Sequence, residues 1–309
     1  RPEFLVELPE WDQRDRISEM AYFVKLKREA GVSESAFSEM LKEWMGVMFQ
    51  RLFDPMVQNK IMILQGGQGV GKDTWISMLT DGLGQFAVPF TLTHEDKDMY
   101  LKLHRGLVMK ISEFDRTAKA EVATLKDIIT APSTDIRAPY DRDAKIRRSR
   151  CSFISSANIE NILRDYTGNR RFMIFEIESI EYAYKGWSED EKREWRLQCL
   201  AEAAYLAKVD YKASAESLGE MGDYIRRKTP EDPADETLRE YMRALKTDEL
   251  KYSGRSEISE HELLDLTHDI KQRTGLNVRA IREQLRRRCG IYRREGEKRV
   301  WYYRTEMEH

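Results

Sequence analysis

Gly66-Gly67-Gln68-Gly69-Val70-Gly71-Lys72 satisfies the spacing G-x-x-x-x-G-K, and Asp73 and Thr74 follow directly. Glycines so spaced let successive backbone N–H groups wrap an anion, and a helix starting at the lysine adds positive potential at the same point. The chemistry indicated is binding of ATP with Mg²⁺ as its ion, Lys72 reaching the β- and γ-phosphates. Every residue from Gly66 to Thr74 is assigned to that ligand: Gly66, Gly67, Gln68, Gly69, Val70, Gly71, Lys72, Asp73 and Thr74. Position 73 departs from the usual Ser or Thr, so either Thr74 takes the ion or Asp73 holds it through water. The plain alternative for the whole run is an ordinary glycine turn.

A triphosphate site needs a base and a counter-charge. Leu107-Val108-Met109-Lys110-Ile111 runs into Ser112-Glu113-Phe114-Asp115, an apolar strand ending in carboxylates and expected to lie beside the glycine loop. Glu113 is the candidate base that polarises the attacking water, with Asp115 available to the metal. Cys151–Ile154 leads to Ser155-Ser156-Ala157-Asn158, where Asn158 can orient that water or sense the γ-phosphate. Thr167-Gly168-Asn169-Arg170-Arg171-Phe172 then sets Arg170 and Arg171 just ahead of another strand. Arginine matched to phosphate is the usual means of stabilising phosphoryl transfer between subunits. Taken alone, the pair reads equally well as a surface ion pair.

The elements that must position these residues are visible in the apolar pattern. Phe37, Leu41, Trp44, Met48 and Leu52 keep helical spacing, with Ser33 or Ser35 to cap the start and Asp54-Pro55 to close the end. Short apolar runs at Ile61–Leu64, Leu107–Ile111, Cys151–Ile154 and Phe172–Ile177 alternate with helical or polar segments. That alternation predicts an α/β sandwich around a largely parallel sheet. Asp135–Tyr140 and Lys145–Phe153 can pair across Asp141-Arg142-Asp143-Ala144, and residues 135–150 hold six basic residues against three acidic. Such a basic hairpin suits a phosphate backbone gripped by charge, through Arg142, Lys145 and Arg147; otherwise it is a solvated ribbon.

Residues 182–228 read as helical, with Trp187, Trp195 and Tyr205 as packing anchors, and Pro230 and Pro233 sit in an acidic linker. Beyond it, Ser259–Ile270 reads as a helix, 274–277 as a turn, Val278–Cys289 as a second helix, and 291–294 with 299–303 as a hairpin. That order is the pattern of a winged helix. Arg279, Arg282 and Arg286 are its DNA-binding candidates; together with Arg287 and Arg288 they spread over more than one face, which favours backbone contact over base reading. The divisions expected are a helical segment at 1–55, the ATPase core at 56–180, a helical region at 181–228, a linker with a connecting helix at 229–247, and the winged helix at 248–309.

Bulk composition narrows the alternatives. Hydrophobic residues make up 41% and charged residues 34%, which suits a soluble globular chain and leaves no apolar run of the ~20 residues that span a bilayer. The net charge of −2 hides a basic stretch, since 271–304 holds twelve Lys or Arg against three Glu. Cys151, Cys199 and Cys289 make no Cys-x-x-Cys pair, which argues for a reducing, cytoplasmic setting and against structural zinc. The chain opens on Arg1 without a signal-like segment, and reads as a piece of a longer protein.

The order of these motifs resembles the virulence-associated E family, an AAA+ group akin to the superfamily 3 helicases of phages, plasmids and genomic islands. The resemblance covers residues 5–180. It rests on Glu10-Trp11-Asp12, the glycine loop, Ser112–Asp115, Glu121–Lys126, Arg137–Tyr140 and, most specifically, Leu163–Phe172. It implies a P-loop AAA+ core, with Asn158 as sensor 1 and Arg171 (or Arg170) as the finger reaching a neighbouring subunit. It also implies a hexameric ring, a channel-facing hairpin at 135–150, an upstream primase or primase-polymerase domain, and a bacterial or phage-infected host.

Three functions remain open on the sequence. The first is a DNA helicase translocating on single strands. The second is a nucleotide-switched DNA-binding regulator or initiator that does not unwind. The third, a small-molecule kinase prompted by Gly71–Thr74, is disfavoured by the acidic strand, the paired arginines and the basic C-terminus.

Overall fold

The apolar residues of the longest N-terminal segment recur every three or four positions, and they form one continuous helix, Glu34–Phe53. Ser33 caps it, its Oγ accepting the Ala36 N–H at 3.1 Å. Asp54, held extended by the following Pro55, ends it. The computed structural model describes residues 8–91, 102–111, 114, 119–130, 133–136, 145–148, 150–158, 162–163, 169–181, 186–229, 257–259, 265, 267–268, 270–272, 277–278, 281, 289–295 and 298–303. The chain divides into two compact units, Arg1–Pro230 and Glu231–His309.

In the first unit the order is α1 (Arg16–Tyr22), β1 (Val24–Leu26), α2 (Glu34–Phe53), β2 (Ile61–Gly66), α3 (Lys72–Thr80), β3 (Ala87–Pro89) and β4 (Val108–Ile111). There follow α4 (Lys119–Thr130), the pair β5 (Ser133–Ile136) and β6 (Lys145–Arg148), β7 (Ser152–Ala157), β8 (Phe172–Ile180), α5 (Glu189–Lys208) and α6 (Ala215–Lys228). Six strands make one sheet in the order β1-β8-β2-β7-β4-β3. Every pairing in it is parallel except β1 with β8. β2 and β7 are buried along their whole length, which is why their sequences do not alternate. β1, in the mixed N-terminal segment, adds an edge strand that its three residues do not announce.

α2 packs against α1, α5 and α6. Phe37 joins this helical layer to the sheet, with its ring centroid 4.5 Å from Phe175 of β8 and 5.9 Å from Trp75 of α3. Two expectations need correction. Tyr205 is no core anchor: it is 45% exposed and lies against Trp11 with centroids 4.7 Å apart, whereas Trp195 is buried. The basic hairpin also pairs in another register, and residues 137–144, which include its expected tip, lie outside the described residues. β5 and β6 pair from Ser133↔Arg148 to Ile136↔Lys145, and Ser152 onward leaves for the main sheet, where small and apolar side chains suit burial on both faces.

In the second unit, β9 (Glu257–Ser259), β10 (Cys289–Glu295) and β11 (Lys298–Tyr303) form an antiparallel sheet ordered β10-β11-β9. The hairpin expected at 291–303 is there. Ser259 and Cys289, read as helical ends, lie in strands instead, because their side of each boundary pairs with β11 or within the hairpin. Residues 265, 267–268, 270–272, 278 and 281 are helical.

Candidate functional site

The site is built at the C-terminal edge of β2. Gly66 closes the strand opposite Ile177 of β8, and a Cβ there would lie 2.8 Å from the Ile177 carbonyl oxygen, so the pairing admits only glycine. Gly69 and Gly71 have φ of 80° and 94°, the left-handed region that side chains resist. The turn they permit delivers the chain into α3 with Gly71 as its N-cap. The N-terminus of that helix follows the loop directly, and a helix N-terminus is attractive to an anion.

α3 is held from below. Lys72, Trp75, Ile76 and Leu79 form its buried face, and Trp75 Nε1 donates to the Met20 carbonyl at 2.9 Å. Lys72 is 5% exposed, and its Nζ donates to Gly66 O at 2.8 Å, Gly67 O at 2.7 Å and Asn158 Oδ1 at 3.0 Å. An ammonium so enclosed needs acceptors for its protons, and the loop carbonyls and the amide supply them. Asn158 is exposed and follows Ala157, the last residue of β7, which pairs with Gln65 of β2. The sheet thus brings together Lys72 and Asn158, 86 positions apart in the chain.

The acidic strand does not lie beside the glycine loop. β7 stands between β2 and β4, so the strand that leads to Asn158 is the nearer neighbour. Ser155 Oγ donates to the Ile111 carbonyl at 2.6 Å, tying the end of β4 to β7. Phe114 is buried, edge-on to the Phe172 ring with centroids 6.0 Å apart. Glu113 and Asp115, on either side of it, lie outside the described residues. Asp73 and Thr74 are exposed in the first turn of α3, away from its buried face. Among the described residues no three His, Cys, Asp or Glu side chains gather as a ligand set.

Arg170 and Arg171 lie at the other edge of the sheet. They form a 3₁₀ turn with Asn169 directly ahead of Phe172, which pairs with Ile61 at the start of β2. Arg170 is exposed and Arg171 half-buried. Six residues of β8 separate Arg171 from the level of the glycine loop, about 20 Å at the rise of an extended strand. Neither arginine is brought to its own chain's Lys72.

Lys145 and Arg147 lie on β6, at register positions facing Ile136 and Thr134. Arg142, Arg279, Arg282 and Arg286 lie outside the described residues. A feature the sequence reading passed over is Glu176, a carboxylate buried within an apolar strand. Burial pushes its carboxyl up, but Lys228 at 2.7 Å and the Tyr224 hydroxyl at 2.9 Å hold it, on balance, below its ordinary value. The signal was an acid inside the run Phe172–Ile177, which burial on both strand faces cannot leave unpartnered.

No helix among the described residues is long and apolar enough to cross a membrane. The family model of the virulence-associated protein E-like domain matches residues 5–228. No curated protein matches the chain. Among solved structures, the apo structure of NrS-1 C terminal region (305-718) is similar with a TM-score of 0.51 and 14% identity, over 98% of this chain and 78% of that one. The A form apo structure of the same region gives 0.50 and 14%, over 98% and 79%. At this identity the likeness is one of fold.

Proposed function

The chain belongs to the virulence-associated protein E-like family, and on that footing we propose that it is an ATP-driven DNA motor, the helicase part of a phage or mobile-element replication protein. The observation that carries this reading is the meeting of Lys72 and Asn158 over a glycine loop at the C-terminal edges of two adjacent parallel strands. Such an edge, with a helix N-terminus pointing at it, is where a triphosphate is held in a P-loop fold. On this reading Lys72 exchanges its loop carbonyls for the β- and γ-phosphates. Asn158, released from Lys72, then orients the attacking water that Glu113 deprotonates.

Asp73 and Thr74, exposed oxygen donors at the start of α3, fit a Mg²⁺ ion, which prefers hard oxygen ligands and keeps several waters; Asp115 adds a carboxylate. When bound, that ion neutralises phosphate charge. The counter-charge at the leaving group comes from Arg170 or Arg171 of a neighbouring subunit, because about 20 Å of strand separates them from their own loop. A closed ring, hexameric as the resemblance implies, gives every site such a neighbour.

The β5–β6 hairpin ends only three residues before β7, the strand that leads to Asn158. A backbone-gripping element is thereby joined to the element at the γ-phosphate, as a translocating motor requires. Arg142, Lys145 and Arg147 would hold single-stranded DNA there, and Arg279, Arg282 and Arg286 would hold duplex phosphate on a winged helix built around β9, β10 and β11. An upstream primase or primase-polymerase domain and a bacterial or phage-infected cytoplasm complete the setting. The test is a pair of variants. Lys72→Ala should lose tight ATP binding, whereas Glu113→Gln should bind ATP and hydrolyse it poorly. Hydrolysis at the parental rate by Glu113→Gln would remove it as the base.

A further inference from the structure

Asn169 stands one residue ahead of the arginine pair, inside the run Thr167–Phe172, and the nucleotide site described above does not use it. Its side chain is only 6% exposed although it lies in a turn. A buried amide is costly unless it is hydrogen-bonded. Its Nδ2 donates to Thr229 Oγ1 at 3.0 Å. Thr229 is the C-cap of α6: its N–H donates to the Ile225 carbonyl at 2.9 Å and its hydroxyl to the same oxygen at 2.6 Å. With that proton committed to Ile225, the hydroxyl oxygen is oriented to accept from Asn169.

The same end of α6 is fixed further along β8. Tyr224 donates to Glu176 Oε1 at 2.9 Å, and Lys228 lies 2.7 Å from the same oxygen. Glu176 pairs with Gln65, next to the glycine loop. The last turn of α6 is therefore bonded both to the strand beside the loop and to the residue that precedes the arginines. One residue after Thr229 the first compact unit ends, at Pro230, and the chain passes into the second.

We propose that Asn169 is a positioning residue whose bond to Thr229 sets the turn that presents Arg170 and Arg171 to the neighbouring subunit. The arginines are then referenced to the cap of α6 rather than to β8 alone, and the segment leading to the second unit starts from that reference point. This inference rests on the reading of the pair as a finger acting between subunits.

The test uses the full chain and the variants Thr229→Val, Thr229→Ser and Asn169→Ala. Valine keeps the shape of threonine and removes the acceptor; serine restores it. A displaced catalytic group loses up to about a hundredfold in rate for a shift near 1 Å, so Thr229→Val and Asn169→Ala should lower kcat by about tenfold or more. KM for ATP should change by less than about twofold, because the glycine loop is untouched. Thr229→Ser should hydrolyse ATP near the parental rate. Mixed with Glu113→Gln protein, Thr229→Val should recover activity, because its subunits keep Glu113 and receive a well-placed arginine from the other protein. A merely structural defect would not be recovered this way.

Parental kcat in Thr229→Val overturns the proposal, as does a loss that mixing fails to recover in rings where an arginine variant is recovered. If no arginine variant is recovered, the finger reading itself falls and this proposal with it. Should Thr229→Val fail to fold, Asn169→Ala carries the same expectations.

Discussion

Arg171→Ala and Arg170→Ala probe the inter-subunit reading through a distance the fold imposes. β8 runs parallel to β2, Phe172 pairs with Ile61, and Ile177 pairs with Gly66. The arginine turn is therefore about 20 Å from its own glycine loop, well beyond the reach of an arginine side chain. Loss of a finger typically costs about 10³–10⁵ in kcat and leaves nucleotide binding in place, since the charge it meets develops in the transition state. The assay is steady-state ATP hydrolysis beside equilibrium binding of a fluorescent ATP analogue, for each arginine variant alone and mixed with Glu113→Gln. In a ring of randomly mixed subunits, about a quarter of the interfaces pair an intact Glu113 with an intact arginine, so about that share of activity should return. The arginine whose variant is rescued is the finger. If neither variant loses activity, or if a loss persists in rings shown by subunit exchange to mix, the pair does not act across an interface.

Glu202 gives a pH prediction. Its Oε2 accepts the N–H groups of Arg16 and Ile17 at 2.8 and 3.1 Å, yet burial, helped by the charge of Asp15, raises its carboxyl from 4.5 to about 7. Between those values the folded chain holds a proton that the unfolded chain releases, so this group's contribution to stability falls as pH rises through the window. Glu202→Gln imitates the protonated form; it should match the parent near pH 4.5 and exceed it at pH 8 by at most about 3 kcal/mol in urea unfolding. An equal difference at both pH values would show that Glu202 does not titrate there. Gly66→Ala forces a methyl to 2.8 Å from the Ile177 carbonyl, so it should destabilise the fold by about 1–3 kcal/mol and weaken ATP binding; parental thermal stability would contradict the strand register. Removing residues 248–309 should weaken duplex binding, with the largest loss at low salt, and spare ATP binding. Unchanged affinity across a salt series would remove that segment from DNA binding.

The glycine loop was legible because its spacing is a backbone requirement: Gly69 and Gly71 take conformations that few other residues tolerate. The strands β2, β4, β7 and β8 were legible as apolar runs, since burial of most of their length favours apolar residues. Their order was not. Whether β4 or β7 neighbours the loop depends on pairing between segments far apart in sequence, and both runs are equally apolar. Tyr205 misled because helical spacing places a residue on a face without saying whether that face is covered. Ser259 and Cys289 misled because strand pairing with β11 and across the hairpin overrides local helical pattern. The Asn169–Thr229 bond spans 60 positions and joins two polar residues of no distinctive spacing, so nothing short of the fold reveals it.

Strand separation by the full-length protein, followed on a forked fluorescent duplex with ATP and Mg²⁺, bears most directly on the motor. The parent should unwind, and single-stranded DNA should stimulate its ATPase. The double variant Arg142→Ala with Lys145→Ala removes two cations from the segment of the basic hairpin. It should keep ATP binding and duplex binding but lose unwinding and the DNA stimulation of hydrolysis. Normal unwinding by that variant would contradict the hairpin's grip on DNA. No unwinding by the parent would contradict the motor itself and leave a nucleotide-switched DNA-binding protein.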